Sequence, residues 1–135
     1  MLDFVYQLLI AGAIMGVLDA VWLGVVAKKL YHDELGSMLA AKPNMVAALV
    51  FYVIFVVGVV VFVVMPAVAA GELKVAVGLG ALLGLVTYAT YDLTNLATLK
   101  HFPIKIVIID LIWGMFITTV TATLTYLAFT SFAST

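Results

Sequence analysis

Four long apolar stretches, separated by short polar segments, organise this chain. They run from about residue 4 to 27, 45 to 65, 75 to 99 and 104 to 127. Each has about the 20 residues that a helix needs to cross a hydrocarbon core about 30 Å thick. Because backbone N–H and C=O groups find no water inside lipid, such segments are helices rather than open strands. The pattern predicts an all-α fold, an integral membrane bundle of four transmembrane helices that forms a single domain over residues 1–135.

The polar connections between these stretches differ in length and charge. Residues 28–42 form the longest, and Leu35, Met38 and Leu39 share a helical face there, which predicts a short interfacial helix. Five of the six lysines flank this loop and the turn at 100–103, and only Lys74 lies by the second loop. Under the positive-inside rule, the first and third loops are cytoplasmic and both termini lie outside the cytoplasm.

The composition excludes several classes of protein. The chain is 67% hydrophobic and 10% charged, whereas soluble domains are about 45–50% apolar and about 25% charged. A net charge of −1 with no arginine argues against nucleic acid as a partner. The absence of cysteine excludes disulfides, thiolate metal sites and thiol nucleophiles.

Three carboxylates lie inside the apolar stretches, at Asp19, Asp92 and Asp110. A carboxylate at the centre of a membrane helix costs about 2.5–3.5 kcal/mol, so their presence needs a reason. At about 1.5 Å per residue, they lie about 13, 12 and 8 Å from the level of the flanking lysines. This common depth predicts that the three side chains converge on one partly hydrated pocket in the inner half of the membrane.

Amide and aromatic side chains accompany these carboxylates. Tyr88, Asp92 and Asn95 recur at i, i+4 and i+7 on the third helix, and a tryptophan follows three residues after both Asp19 and Asp110. The predicted ligand-binding or proton-carrying site consists of Asp19, Asp92, Asp110, Asn95, Tyr88, Tyr91, Trp22 and Trp113.

The first, third and fourth helices are therefore expected to build the site. The second has only Tyr52 as a polar side chain in its middle, and we expect it to face lipid or another copy of the chain. Gly12, Gly16 and Gly114 share faces with the aspartates, which predicts a close approach of the first and fourth helices. The alternating threonines at 119–125 are expected to bond to carbonyls of their own helix. Since four helices make a thin pathway, transport would favour a homo-oligomer, with a dimer as the first expectation.

Three segments, residues 18–24, 88–98 and 110–114, resemble a known family of bacterial membrane proteins, domain of unknown function 2177. The most specific is the string Tyr-Asp-Leu-Thr-Asn-Leu-Ala-Thr at residues 91–98. The resemblance covers nearly the whole chain and implies a four-span protein of the bacterial inner (plasma) membrane. It brings no catalytic residue and no cofactor with it.

Three functions stay open on the sequence. The first is a non-enzymatic membrane protein whose aspartate cluster binds or translocates a small ligand, a proton or a lipid. The second is an enzyme acting on membrane lipid at the inner leaflet, with carboxylates as general acid and base or as ligands of Mg²⁺ or Ca²⁺. The third is a structural or assembly subunit whose carboxyls only bond between helices. No histidine lies within a span, which disfavours zinc, copper and haem. We assign no metal and no cofactor. We expect membrane lipid as a partner.

Overall fold

The computed structural model describes all 135 residues, which form four long helices and no strand. Each helix is long and apolar enough to span a membrane. Their bounds are Leu2–Met38 for α1, Met45–Ala70 for α2, Leu73–Thr98 for α3 and Ile104–Ala133 for α4. The protein is an all-α, four-helix membrane bundle, which confirms the fold class predicted from the apolar pattern.

The helices pack in chain order around the bundle. Helices α3 and α4 contact each other along most of their length, α1 packs against α4 and α2, and α2 packs against α3. Helices α1 and α3 make little contact, because they lie diagonally across the bundle. The 39–44 connection and the 99–103 turn share one end, where Lys105 pairs with Glu34 at 3.5 Å. We call this the lysine-rich end, and the opposite one the far end.

Helix α1 continues through most of the stretch expected to be a loop. An α-helix over Leu2–Val21 passes into a π-helical turn at Trp22–Val26 and then into a second α-helix, Ala27–Leu35. The structure therefore differs from the expected separate interfacial helix, because these residues extend the first span. A 3₁₀ turn at Gly36–Met38 ends the helix.

The extension is held by apolar contacts to the lysine-rich end of α4. Leu30, Tyr31 and Leu35 pack on a small buried cluster made by Phe102, Ile106 and Val107. The extension therefore covers the start of α4 and the turn before it.

Helix α2 provides much of the apolar core. Val59, Val60, Val63 and Val64 are fully buried, and they pack with Ala11, Met15, Ile117 and other residues of α1 and α4. The expectation that α2 faces lipid or another copy describes only its outer side, where Leu49 is 63% exposed. In a membrane protein, apolar side chains suit both lipid and the protein interior, so polarity does not separate the two faces.

Much of the outer surface is apolar, and several polar groups are buried inside the bundle. Leu9, Val17 and Ile112 are each 65% exposed, which suits a chain whose solvent is lipid. The buried polar side chains are Gln7, Asp92, Asp110, Thr118, Thr121 and Thr125.

Glycines permit the closest contacts in the bundle. A Cβ atom on Gly84 would lie 2.8 Å from Met115 Cα, and one on Gly80 would lie 3.0 Å from Thr119 Cα, so α3 and α4 meet backbone to backbone. A Cβ on Gly114 would overlap the ring of Tyr88 from α3. Gly12 and Gly16 lie beside Tyr52 of α2, and Gly114 lies beside Tyr88 of α3. The prediction that these three glycines bring α1 close to α4 is therefore wrong.

Candidate functional site

Asp92 on α3 and Asp110 on α4 place their carboxyl groups close enough to interact. Asp92 is 0% exposed and Asp110 is 7% exposed. Neither oxygen of Asp92 receives a hydrogen bond from an N–H or hydroxyl group. Because ionised carboxylates only accept hydrogen bonds, two carboxyls can bond to each other only when one carries a proton. We call these two residues the carboxyl pair.

The local geometry of α3 and α4 explains why the pair forms. The two helices run antiparallel from the tight turn at residues 99–103 and are drawn together where Gly84 meets the backbone of Gly114 and Met115. Both aspartates lie between that contact and the turn, on the faces that the helices turn towards each other. The carboxyl pair is therefore enclosed by backbone packing on one side and by the turn on the other.

Tyr31 is the donor to this pair. Its hydroxyl donates a hydrogen bond to Asp110 Oδ1, and the extension of α1 carries it there. Tyr31 was not among the predicted site residues, because residues 28–42 read as a loop. Ala27, Tyr31 and Leu35 fall at i, i+4 and i+8, and this helical spacing is the signal that would have indicated a buried face.

Asp19 stands apart from the carboxyl pair. It is half-buried on α1, and the indole of Trp113 lies near its carboxyl group. No group of three or more histidine, aspartate or glutamate side chains is arranged to hold a metal ion. Asp19 therefore lies outside the contact between Asp92 and Asp110, because α1 and α3 are diagonal in the bundle and α4 lies beside both.

The two tryptophans of the predicted site form a stacked pair. The ring centroids of Trp22 and Trp113 are 4.4 Å apart and the ring planes differ by 8°. Trp22 stands at the start of the π-helical turn, and its buried Nε1 makes no hydrogen bond in good geometry. Together with Ile109, Ile112 and Phe116, the pair lines a cavity of about 160 Å³.

Tyr88 connects Asp19 electrostatically with the carboxyl pair. Its ring lies on Gly114 and meets Phe55 of α2 edge to face at 6.3 Å. The carboxyls of Asp19, Asp92 and Asp110 all lie close enough to act electrostatically on its hydroxyl.

Helix α2 adds Tyr52 to this region, although it was not among the predicted site residues. Its hydroxyl donates a hydrogen bond to the backbone carbonyl of Gly12, and Asp19 lies within electrostatic range of it. As the only polar side chain in the middle of α2, it carried a signal in the sequence, but the face it occupies was not predictable.

Tyr91 and Asn95 lie at the edge of the site. Tyr91 is 57% exposed, and its ring meets Phe102 edge to face at 6.5 Å. The half-buried Asn95 side chain lies within hydrogen-bonding reach of the Tyr91 hydroxyl. These residues line the rim beside the turn at 99–103 rather than the carboxyl pair itself.

Comparison with known proteins places the chain among membrane proteins. The family model described as "Predicted membrane protein (DUF2177)" matches residues 4–127, a range that contains every residue of the candidate site. No curated protein and no solved structure matches the chain.

Proposed function

The chain belongs to the DUF2177 family of predicted membrane proteins, and on that premise we propose that it is a proton-binding membrane protein. Its carboxyl pair, Asp92 and Asp110, takes up and releases a proton within the bilayer. The observation that carries the proposal is the environment of Asp92. This residue is fully buried, and no donor other than the Asp110 carboxyl faces either of its oxygens.

The energetics of the pair favour one shared proton. Two like charges about 4 Å apart repel by about 4 kcal/mol at an effective dielectric constant of about 20. A proton held between the carboxyls replaces this repulsion with a hydrogen bond. Interhelical hydrogen bonds average only about 0.6 kcal/mol in one membrane protein, so a purely structural role would offset little of the insertion cost of two aspartates.

The two carboxyls have different roles. Tyr31 donates to Asp110, and a hydrogen bond to a carboxylate favours its charged form. Asp92 has no such donor and is completely enclosed. We therefore assign the negative charge to Asp110 and the exchanging proton to Asp92, with Tyr31 as the residue that holds the charge on Asp110.

The surroundings of Asp92 favour a proton over a larger ligand. Asp92 is completely enclosed, and neither carboxyl of the pair lines the cavity at the stacked tryptophans or the cavity of about 580 Å³ at the far end. A proton needs no cavity of its own, since it sits within the hydrogen bond that joins the two carboxyls.

The membrane and orientation are part of the same proposal. We place the protein in the bacterial inner membrane with its lysine-rich end in the cytoplasm, following the positive-inside rule. This orientation puts the carboxyl pair in the inner half of the bilayer. Membrane lipid covers the exposed apolar faces, and a homodimer stays the first prediction for the assembled state.

Infrared titration of the protein in lipid nanodiscs tests the proposal. A protonated carboxyl has a C=O stretching band that a carboxylate lacks. We expect a buried-carboxyl band that titrates with pH in the wild type and is lost in Asp92→Asn. Asp19→Asn serves as the matched control and should keep this band. A spectrum in which Asp92→Asn removes no titrating band contradicts the proposal.

A further inference from the structure

A line of buried positions continues from Asp110 along α4 towards the far end, and its members beyond Gly114 are threonines. Thr118, Thr121 and Thr125 are all 0% exposed. With Asp110 and Gly114 they fall at i, i+4, i+8, i+11 and i+15, which places them on one helical face. At about 1.5 Å per residue the line is about 22 Å long, most of a hydrocarbon core about 30 Å thick.

Two of these threonines lack the usual partner of a membrane threonine. A hydroxyl in a helix normally donates to the carbonyl four residues earlier, as Thr125 does to Thr121 at 2.6 Å and Thr130 does to Tyr126 at 2.8 Å. The hydroxyl oxygens of Thr118 and Thr121 are buried and make no hydrogen bond. Buried polar groups of this kind are commonly satisfied by internal water.

Gln7 continues the line at the far end. It is 4% exposed, and its side-chain carbonyl oxygen has no partner. The stacked rings put Trp22 and Trp113 at about the same level of the bundle. Gln7 lies 15 residues before Trp22 on α1, and Ala128 lies 15 residues after Trp113 on α4. Because α1 and α4 are antiparallel, Gln7 is level with about Ala128, within one turn of Thr125.

A cavity at the far end supports this register and extends the line outwards. It has a volume of about 580 Å³, and Ile10 of α1 and Phe129 of α4 both line it. Asp3 and Tyr6 contribute its polar groups. Since Asp3 and Ile10 flank Gln7 on α1 at four and three residues, the cavity lies beside the end of the polar line.

We propose that Thr118, Thr121 and Gln7 bind a file of internal water molecules that joins the carboxyl pair to the far end of the bundle. This inference rests on the proposed function and deepens it, because the proton that the pair binds then crosses the bilayer. Each water accepts a proton from one neighbour and passes another to the next, so nothing is consumed. Entry is at the carboxyl pair beside Tyr31, and exit is at the cavity beside Asp3.

Proton flux into liposomes tests the path. A potassium gradient with valinomycin sets the membrane voltage, and an enclosed pH-sensitive dye reports proton entry. We expect wild-type flux to fall about tenfold or more in Thr118→Val, Thr121→Val and Gln7→Leu, and to persist in Thr118→Ser, which keeps the hydroxyl. Thr130→Val is the matched control on the same helix, because its hydroxyl is bonded to its own helix and lies off the line.

The infrared titration separates failure of the path from failure of the proposed function. Each path variant should keep the titrating Asp92 band, which also shows that the variant is folded. Wild-type flux that persists in Thr118→Val, Thr121→Val and Gln7→Leu overturns the path and leaves the proton-binding pair intact. Absence of wild-type flux beside a normal Asp92 titration also overturns the path. Absence of the titration itself overturns both proposals.

Discussion

The hydroxyl of Tyr31 donates a hydrogen bond to the carboxyl of Asp110, and the two residues are 79 positions apart in the chain. The bond joins the extension of α1 to the buried interior of α4. It exists because α1 passes through a π-helical turn at Trp22–Val26 and continues as a helix beside the 99–103 turn. π-Helical turns inside α-helices are frequent at functional sites, and this one changes the direction of the face that carries Tyr31.

Removing this donor should destabilise the protein. Tyr31→Phe leaves Asp110 without its hydroxyl partner, and hydrogen bonds to charged groups contribute about 1.5–3 kcal/mol. We expect a loss of this size in the free energy of unfolding, measured by denaturant titration in detergent micelles. Tyr6→Phe is the control, because Tyr6 is 50% exposed. Equal stability of the two variants would contradict the assigned role of Tyr31.

The carboxyl pair should behave as one unit in a double-mutant cycle. Because Asp92 and Asp110 are in contact, the effects of Asp92→Asn and Asp110→Asn on unfolding should differ from additivity by about 0.5–3 kcal/mol. The combination of Asp92→Asn with Asp19→Asn should be additive within about 0.5 kcal/mol, since Asp19 lies outside the pair. Strong coupling of Asp19 to Asp92 would mean that all three carboxyls share one pocket after all.

The contact between α3 and α4 should tolerate no added methyl group at Gly84. A Cβ there would lie 2.8 Å from Met115 Cα, and overpacking typically costs about 1–3 kcal/mol. We expect Gly84→Ala to lower the midpoint of thermal unfolding. Gly78→Ala is the control, since nothing lies within 4 Å of its Cβ position. A Gly84→Ala protein as stable as Gly78→Ala would show that α3 and α4 do not meet backbone to backbone at Gly84.

The stacked tryptophans should have a spectroscopic signature. Two indoles with centroids 4.4 Å apart and nearly parallel planes couple their electronic transitions, which produces a strong near-ultraviolet circular dichroism signal. We expect Trp22→Phe to abolish the part of the signal that arises from the coupling. The signal should therefore fall by more than the half that two independent indoles would predict. If the two tryptophan contributions add independently, the stack does not form in solution.

Orientation can be read from introduced cysteines, because the chain has no cysteine of its own. Ser37→Cys lies at the lysine-rich end, and Ala70→Cys lies at the far end. With the lysine-rich end in the cytoplasm, a membrane-impermeant thiol reagent should label Ala70→Cys on intact cells and Ser37→Cys only after lysis. The reverse labelling pattern would invert the proposed topology.

The sequence identified the aspartates but not their grouping. The depth of a residue in the membrane follows from counting residues along its helix. The similar depth of Asp19, Asp92 and Asp110 could therefore be predicted from the sequence. Which of them meet depends on the rotation of each helix and on the order of the helices around the bundle. Asp92 and Asp110 lie on neighbouring helices that pack closely through Gly84, whereas Asp19 lies on the diagonal one.

The role of α2 shows the same limit. In a soluble protein, a helix face that lacks polar residues is the buried face, but here both faces of α2 are apolar. Val59 and Val63 are buried and Leu49 is exposed, although nothing in their chemistry separates them. Tyr52 was visible as the one polar group in mid-span, yet its bond to the Gly12 carbonyl depends on the packing of α2 against α1.

The number and membrane character of the helices were determined by the sequence alone, because they depend on local composition and on the thickness of a bilayer. The length of α1 was not, since it continues to Met38 through residues expected to form a loop. The same local logic pointed to intramembrane carboxylates as candidate site residues. Only the tertiary structure decided that Asp92 pairs with Asp110, that Tyr31 joins them and that Asp19 does not. Those contacts depend on how one apolar helix surface packs on another, and in lipid the hydrophobic pattern carries little information about that choice.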